Sequence, residues 1–165
     1  MMSMRPEPLL IVALALAAAP SVAQVEDVSI RTARDGEFVV VAATAVMRVD
    51  PTVAWAVLSD YDHLAKFIPD VKSSRILSRD GNKVRVEQKG VVGFWFYKEP
   101  VVVILEVHEE PHHRITARSV DGNVRGLETR YELQASGGGV RLDYAGRFVP
   151  EFAIPPVVGM PIVTG

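Results

Sequence analysis

The chain contains no cysteine, which excludes a disulfide scaffold and leaves no thiol to carry a lipid anchor. Charge of one sign is also lacking. With 18 Lys+Arg against 20 Asp+Glu and a net charge of −2, there is no basic footprint for a nucleic acid or an anionic membrane surface. No apolar run approaches the ~20 residues of a membrane-spanning helix; the clearest is the eleven residues from Leu9 to Ala19. Internal repeats and low-complexity segments are missing, as are a phosphate-cradling glycine loop before a helix and a G-x-S-x-G nucleophile turn. What remains, with 48% hydrophobic residues, is the composition of an ordinary globular domain.

The apolar run belongs to the first 23 residues, which have the order of an export signal. Arg5 lies in the leading region, Leu9 to Ala19 form the core, and Ser21 and Ala23 occupy the −3 and −1 positions before Gln24. Residues 1–23 are therefore expected to be a signal peptide, and residues 24–165 a single periplasmic or secreted domain. An uncleaved anchor or a buried N-terminal helix is the competing reading, and Glu7 is atypical of a leading region.

From Val25 onward the hydrophobic period is two, interrupted once. Val25 to Ala33, an Asp35-Gly36 turn and Phe38 to Val49 read as a hairpin. Asp50-Pro51 then marks a helix start, followed by Val53, Ala54, Val57 and Leu58 at helical spacing. Leu64, Ala65, Phe67 and Ile68 suggest a second short helix ending near Pro69. After Val71, turns at Asp80-Gly81-Asn82, Lys98-Glu99-Pro100, Glu110-Pro111, Asp121-Gly122-Asn123 and Gly137-Gly138-Gly139 delimit six strands, expected to pair as an antiparallel meander.

Alternation assigns the faces of these strands. Lys83, Arg85 and Glu87 oppose Val84, Val86 and Gln88, while Glu128, Arg130 and Glu132 oppose Leu127, Thr129 and Tyr131. The inward phase thus includes polar side chains, and polar groups facing a core need a partner, water or a ligand. An apolar concavity with a few such groups is the usual make-up of a small-molecule pocket. Val86, Gln88, Ser119, Thr129, Tyr131, Tyr144 and Phe148 are the candidate ligand-binding residues. A packed core, with tyrosine hydroxyls at the rim and small hydroxyls bonded to backbone, is the competing reading. A bulge at Gly93 would decide whether Phe94 and Phe96 or Trp95 and Tyr97 face inward.

Motifs for chemistry fail on context. His108-Glu109-Glu110-Pro111-His112 matches the zinc-protease string H-E-x-x-H, but Pro111 would break the required helix and both flanks read as strands, so the string is a turn. His112 and His113 read as exposed turn histidines, and His63 as solvated. Asp60, Asp62 and Asp70 stand beside helix ends, where capping accounts for them. Ser59, Ser73 and Ser74 have no base nearby in sequence. No catalytic residue, metal ligand or cofactor is assigned.

The order hairpin, two short helices and long meander, together with the stretch Trp55 to Pro69 and the Phe148-Val149-Pro150 to Gly159 region, resembles the START-like (SRPBCC) superfamily. The nearest likeness is to its polyketide cyclase/dehydrase and coenzyme-Q-binding-like branch. The resemblance implies an α+β helix-grip fold: a curved antiparallel sheet wrapped around a long C-terminal helix, enclosing an apolar cavity for lipids, sterols, quinones or polyketides. Only nine residues follow Pro156, among them Gly159 and Pro161, so the long helix is expected to be missing and the domain C-terminally truncated. The inner face is then expected to need further chain or a homodimer partner to cover it.

The functional expectation is an exported, non-enzymatic carrier or sensor of a hydrophobic small molecule or lipid, with transient membrane contact as a further partner. A polyketide cyclase or dehydratase using the same cavity is the alternative, and a protein-interaction module the second. The inward phase of the later strands carries no His, Asp, Glu, Lys or Arg, which argues against acid–base catalysis.

Overall fold

The computed structural model describes residues 24–68, 70–94 and 97–149. Eight strands and two short helices follow one another: β1 (Gln24–Asp35), β2 (Phe38–Arg48), α1 (Pro51–Leu58), a 3₁₀ helix (Tyr61–Lys66), β3 (Val71–Asp80), β4 (Lys83–Phe94), β5 (Tyr97–Glu110), β6 (Arg114–Gly122), β7 (Arg125–Ser136) and β8 (Gly139–Val149). All eight strands form one curved antiparallel sheet in the order β1-β2-β8-β7-β6-β5-β4-β3. The meander therefore runs back from the far edge until β8 pairs with β2. The expected signal segment and C-terminal region lie outside the described residues.

Local chemistry explains the breaks. Asp50 accepts a hydrogen bond from Thr52 N at 2.7 Å and Pro51 supplies a preset helical φ, so α1 starts where the period changes from 2 to 3.6. In α1, Ala54 and Leu58 are buried while Val53 is 44% exposed, because Val53 falls off the inward stripe. Gly36 and Gly81 adopt φ of +59° and +55° in the tight hairpins after β1 and β3, a conformation disfavoured for side chains with a Cβ.

One expected turn is corrected. Lys98, Glu99 and Pro100 lie within β5, and the β4–β5 register runs without a shift from Lys83↔His108 to Phe94↔Tyr97. Pro100 is tolerated because β6 pairs with β5 only from Val103 onward, so Pro100 has a strand neighbour on one side alone. Asn123 serves the other side, accepting from Val102 N at 2.9 Å and donating to Pro100 O at 2.8 Å. The continuous register also shows no bulge at Gly93; the side chains of 92–97 lie outside those described.

β2 and β3, consecutive strands, are six positions apart in the sheet, about 29 Å if it were flat. The connecting chain spans the inner face: α1 packs on β7 and β8, and the 3₁₀ helix against β3. Ala54, Leu58 and Tyr61 join Met47, Val84, Val86, Leu105 and Leu142 in one buried cluster. The expectation of a widely bare inner face is not met. Val84, Val86, Val107, Val140 and Leu142 are all 2% exposed or less, and the exposed large hydrophobics among the described residues, such as Leu77, Val102 and Val120, are out of phase with them.

Candidate functional site

Between the concave face and the α1–3₁₀ connection lies a cavity of about 100 Å³. Its walls are mainly aliphatic, from Val57, Leu58 and Leu64 on the helical side to Val86, Leu105 and Val107 on the sheet. Five of the seven residues singled out from the sequence line it: Val86, Gln88, Thr129, Tyr131 and Tyr144. The other two do not. Ser119 Oγ accepts from Leu127 N at 3.1 Å, so its polar group is spent on the backbone, and Phe148 is packed in the buried cluster. A larger depression of about 520 Å³ opens on the opposite face. Its rim is charged and internally paired, with Arg118 to Glu106 at 2.7 Å and Arg147 to Glu128 at 2.9 Å, as on an ordinary solvated sheet face.

Four polar side chains on the cavity wall stand out. Among the described residues, no hydrogen bond reaches the side chains of Gln88, Thr129, Tyr131 or Tyr144. Tyr131 and Tyr144 face each other across β7 and β8 with ring centroids 4.8 Å apart and planes tilted by 49°, a favourable aromatic contact. Burial pushes the Tyr144 phenol up to about 12. Burial, then the neighbouring phenols of Tyr144 and Tyr61, hold Tyr131 well above the ordinary tyrosine value. Tyr131 is half-buried as a residue, because its ring fronts the cavity. Both phenols are thus neutral hydrogen-bond donors at physiological pH.

Beside this wall lies a polar network that the sequence reading missed. Glu109 is 6% exposed and accepts from Tyr61 Oη at 2.8 Å and from Arg79 Nη1 and Nη2 at 3.0 and 3.3 Å. The expectation of no His, Asp, Glu, Lys or Arg in the inward phase fails in β5. There Val103, Leu105, Val107 and Glu109 alternate inward, and counting in twos from Val103 finds the carboxylate. Tyr61, which lines the cavity from the 3₁₀ helix, is raised by burial first and then by its bond to Glu109 and that carboxylate's charge, against the opposing effect of Arg79.

The remaining candidates fall elsewhere. Glu109 lies in β5 and His112 in a turn at φ +65°, so the H-E-x-x-H string has no helix; among the described residues no group of His, Cys, Asp or Glu could hold a metal. His112 instead lies against Trp55, ring centroids 5.6 Å apart. Asp60 holds the N-cap position of the 3₁₀ helix without a side-chain capping bond, and Asp62 lies in that helix's first turn. Asp60 Oδ1 is 2.7 Å from His63 Nδ1, and Asp62 accepts from Ile76 N at 2.7 Å, tying the 3₁₀ helix to β3.

Comparison with known proteins agrees with this architecture. Residues 47–162 match the family model for "Polyketide cyclase / dehydrase and lipid transport". Among curated proteins, none matches the sequence. The Zhui aromatase/cyclase from Streptomyces sp. R1128 is similar at 18% identity and TM-score 0.60, over 70% of this chain and 70% of that one. A START superfamily protein from Mycobacterium smegmatis gives 18% identity and TM-score 0.59, over 73% and 83%. The STAR-related lipid transfer protein from Xanthomonas axonopodis gives 14% identity and TM-score 0.59, over 82% and 86%. Such low identities establish the fold and not the ligand. On the match across residues 47–162 and the START-like sheet, the chain belongs to the polyketide cyclase/dehydrase and lipid transport family.

Proposed function

We propose that this chain is an exported protein that carries or senses one hydrophobic small molecule or lipid in its inner cavity, without turning it over. The observation that carries this reading is an apolar wall interrupted by Gln88, Thr129, Tyr131 and Tyr144, none hydrogen-bonded among the described residues. Their polar atoms stay open to the cavity, since among the described residues the buried side-chain atom without a partner is Ser74 Oγ, and a ligand's polar end would pair with them there. Phenols held above their ordinary pKa neither give nor take a proton readily at neutral pH, which favours binding over acid–base turnover. Glu109, the nearest buried carboxylate, is already engaged by Tyr61 and Arg79.

Size narrows the ligand. The cavity of about 100 Å³ is smaller than the ~150 Å³ that admits benzene. A short aliphatic segment is what it holds as it stands, whereas a ring, a sterol or an acyl lipid requires the α1–3₁₀ connection to move outward, as on loading from a membrane surface. The test is to incubate the purified protein with a total lipid extract, re-isolate it and analyse the organic-soluble fraction by mass spectrometry. Stoichiometric enrichment of one apolar, oxygen-bearing compound is expected; a fraction indistinguishable from that of an unrelated protein would refute the proposal.

A further inference from the structure

A sheet that does not close has two edges, and here they are β3 and β1. The two are treated differently. β3 is blunted: its register with β4 slips between Val71 and Ser73 and again between Ile76 and Ser78, and the 3₁₀ helix packs against it. Asp62 on that helix accepts from Ile76 N at 2.7 Å, so a donor on the open side of β3 is already paired. β1 lacks such cover. From Asp27 to Asp35 it runs against β2 without a shift, it contains no proline, and among the described residues no side chain bonds to its backbone. Every second residue of this run turns its N–H and C=O away from β2, a template for another strand.

The side chains of β1 select the strand that fits. On the inner face, opposite the buried Ala45 and Ala43, Val28 is 37% exposed and Ile30 is half-buried against Val41, Ala43 and Tyr144. On the outer face Asp27 and Arg31 are exposed, and neither makes an ion pair or hydrogen bond among the described residues, whereas Glu26 is held by Arg48. Set antiparallel to itself about Ser29, β1 places Asp27 opposite Arg31 and Val28 opposite Ile30, each twice. Other registers do worse. Centred on Ile30, Asp27 and Arg31 would face Ala33 and Ser29, and the pair gained, Glu26 with Arg34, would compete with Arg48. Centred on Arg31, that residue would meet itself and Asp27 would meet Asp35, like charge against like.

We propose that the β1 edge is a self-association surface, through which two copies of this chain join their sheets by antiparallel β1 strands about a two-fold axis at Ser29. The contact is isologous, so each copy's bare edge is used up, and the blunted β3 edge stops the assembly at a dimer rather than a fibre. The pairing does not depend on what the cavity holds, but Val28 and Ile30 of one copy then continue the inner face of the other.

The test is sedimentation equilibrium of the purified protein over a range of concentrations. The wild type should reach twice the chain mass. Asp27→Arg and Arg31→Asp each turn two attractive pairs into two repulsive ones, and each should raise the dissociation constant about 10-fold or more. Mixed in equal amounts, the two variants face each other with opposite charges at both pairs, and the mixed dimer should return to within about 3-fold of the wild-type constant. Val28→Lys, at a position already 37% exposed, should leave the fold intact and abolish the dimer. A wild type that stays monomeric at every concentration would overturn the proposal, and slow hydrogen exchange of its β1 amides would then assign the edge to a segment of the same chain. A dimer indifferent to all three variants, or a mixture that fails to recover, would overturn it equally.

Discussion

Replacing Tyr61 by Phe and Glu109 by Leu, singly and together, tests whether the buried carboxylate holds the helical wall of the cavity. Tyr61→Phe removes a 2.8 Å bond to an ionised acceptor, an interaction worth about 1.5–3 kcal/mol. Glu109→Leu removes the same bond from the other side and leaves a buried phenol hydroxyl unpaired, at about 1–3 kcal/mol. Arg79 adds little to that loss. Its side chain is 41% exposed, so its guanidinium returns to water, and the ion pair with Glu109 is discounted to about 0–1 kcal/mol by solvent screening. The double variant should therefore cost less than the sum of the singles by about 1.5–3 kcal/mol, measured from urea unfolding midpoints at constant m. Additivity within about 0.5 kcal/mol would refute the reasoning and return Glu109 to the role of an ordinary turn carboxylate.

Further predictions follow from the tyrosines, Gly146, Ser74 and the amino terminus. Below the ordinary tyrosine pKa of 10.0 the folded and unfolded chains carry the same phenol charge; above it the unfolded chain ionises first. Stability should thus fall as pH rises from about 10 towards 12, by about 1.4 kcal/mol per pH unit for each of Tyr61, Tyr131 and Tyr144, and their phenolate absorbance should appear with unfolding rather than before it. Gly146→Ala places a Cβ onto the Tyr144 hydroxyl and 2.9 Å from its Cζ, so it should cost about 1–3 kcal/mol and displace the ring seen in aromatic NMR shifts. Ser74→Ala removes an unsatisfied buried hydroxyl and should leave the unfolding midpoint unchanged or raised; a loss above about 1 kcal/mol would show that the hydroxyl is bonded. N-terminal sequencing of exported protein should begin at Gln24, and a mature form retaining Leu9 to Ala19 would contradict processing.

The strands and their faces were legible because charge and hydrophobicity alternate without interruption in Lys83 to Gln88 and Leu127 to Leu133, and a period of two admits one assignment. The start of α1 was legible because Asp-Pro is a local signal that acts within one turn. Pro100 misled because a proline reads as a turn unless the missing strand neighbour is known, and that depends on where β6 ends. Ser119 misled for a similar reason: its inward phase was correct, but its bond to Leu127 N bridges β6 and β7 eight residues on. Glu109 was hidden by its motif. The H-E-x-x-H string with its Pro111 has the look of a turn, although the β5 alternation continues through Glu109. The partners of Glu109, 48 and 30 residues away, depend on how the chain crosses the sheet, which no local signal encodes.

The central claim is that the neutral phenols of Tyr131 and Tyr144 anchor the polar end of an apolar ligand. The direct measurement is the affinity of the wild type and of Tyr131→Phe/Tyr144→Phe for the compound enriched from lipid extract, alongside their unfolding midpoints. Loss of two hydrogen bonds should weaken binding by about 1–3 kcal/mol, roughly 5- to 150-fold, with the fold intact. Equal affinity in the two proteins would contradict the account, and a parallel loss of folding and binding would assign the tyrosines to a packed core instead.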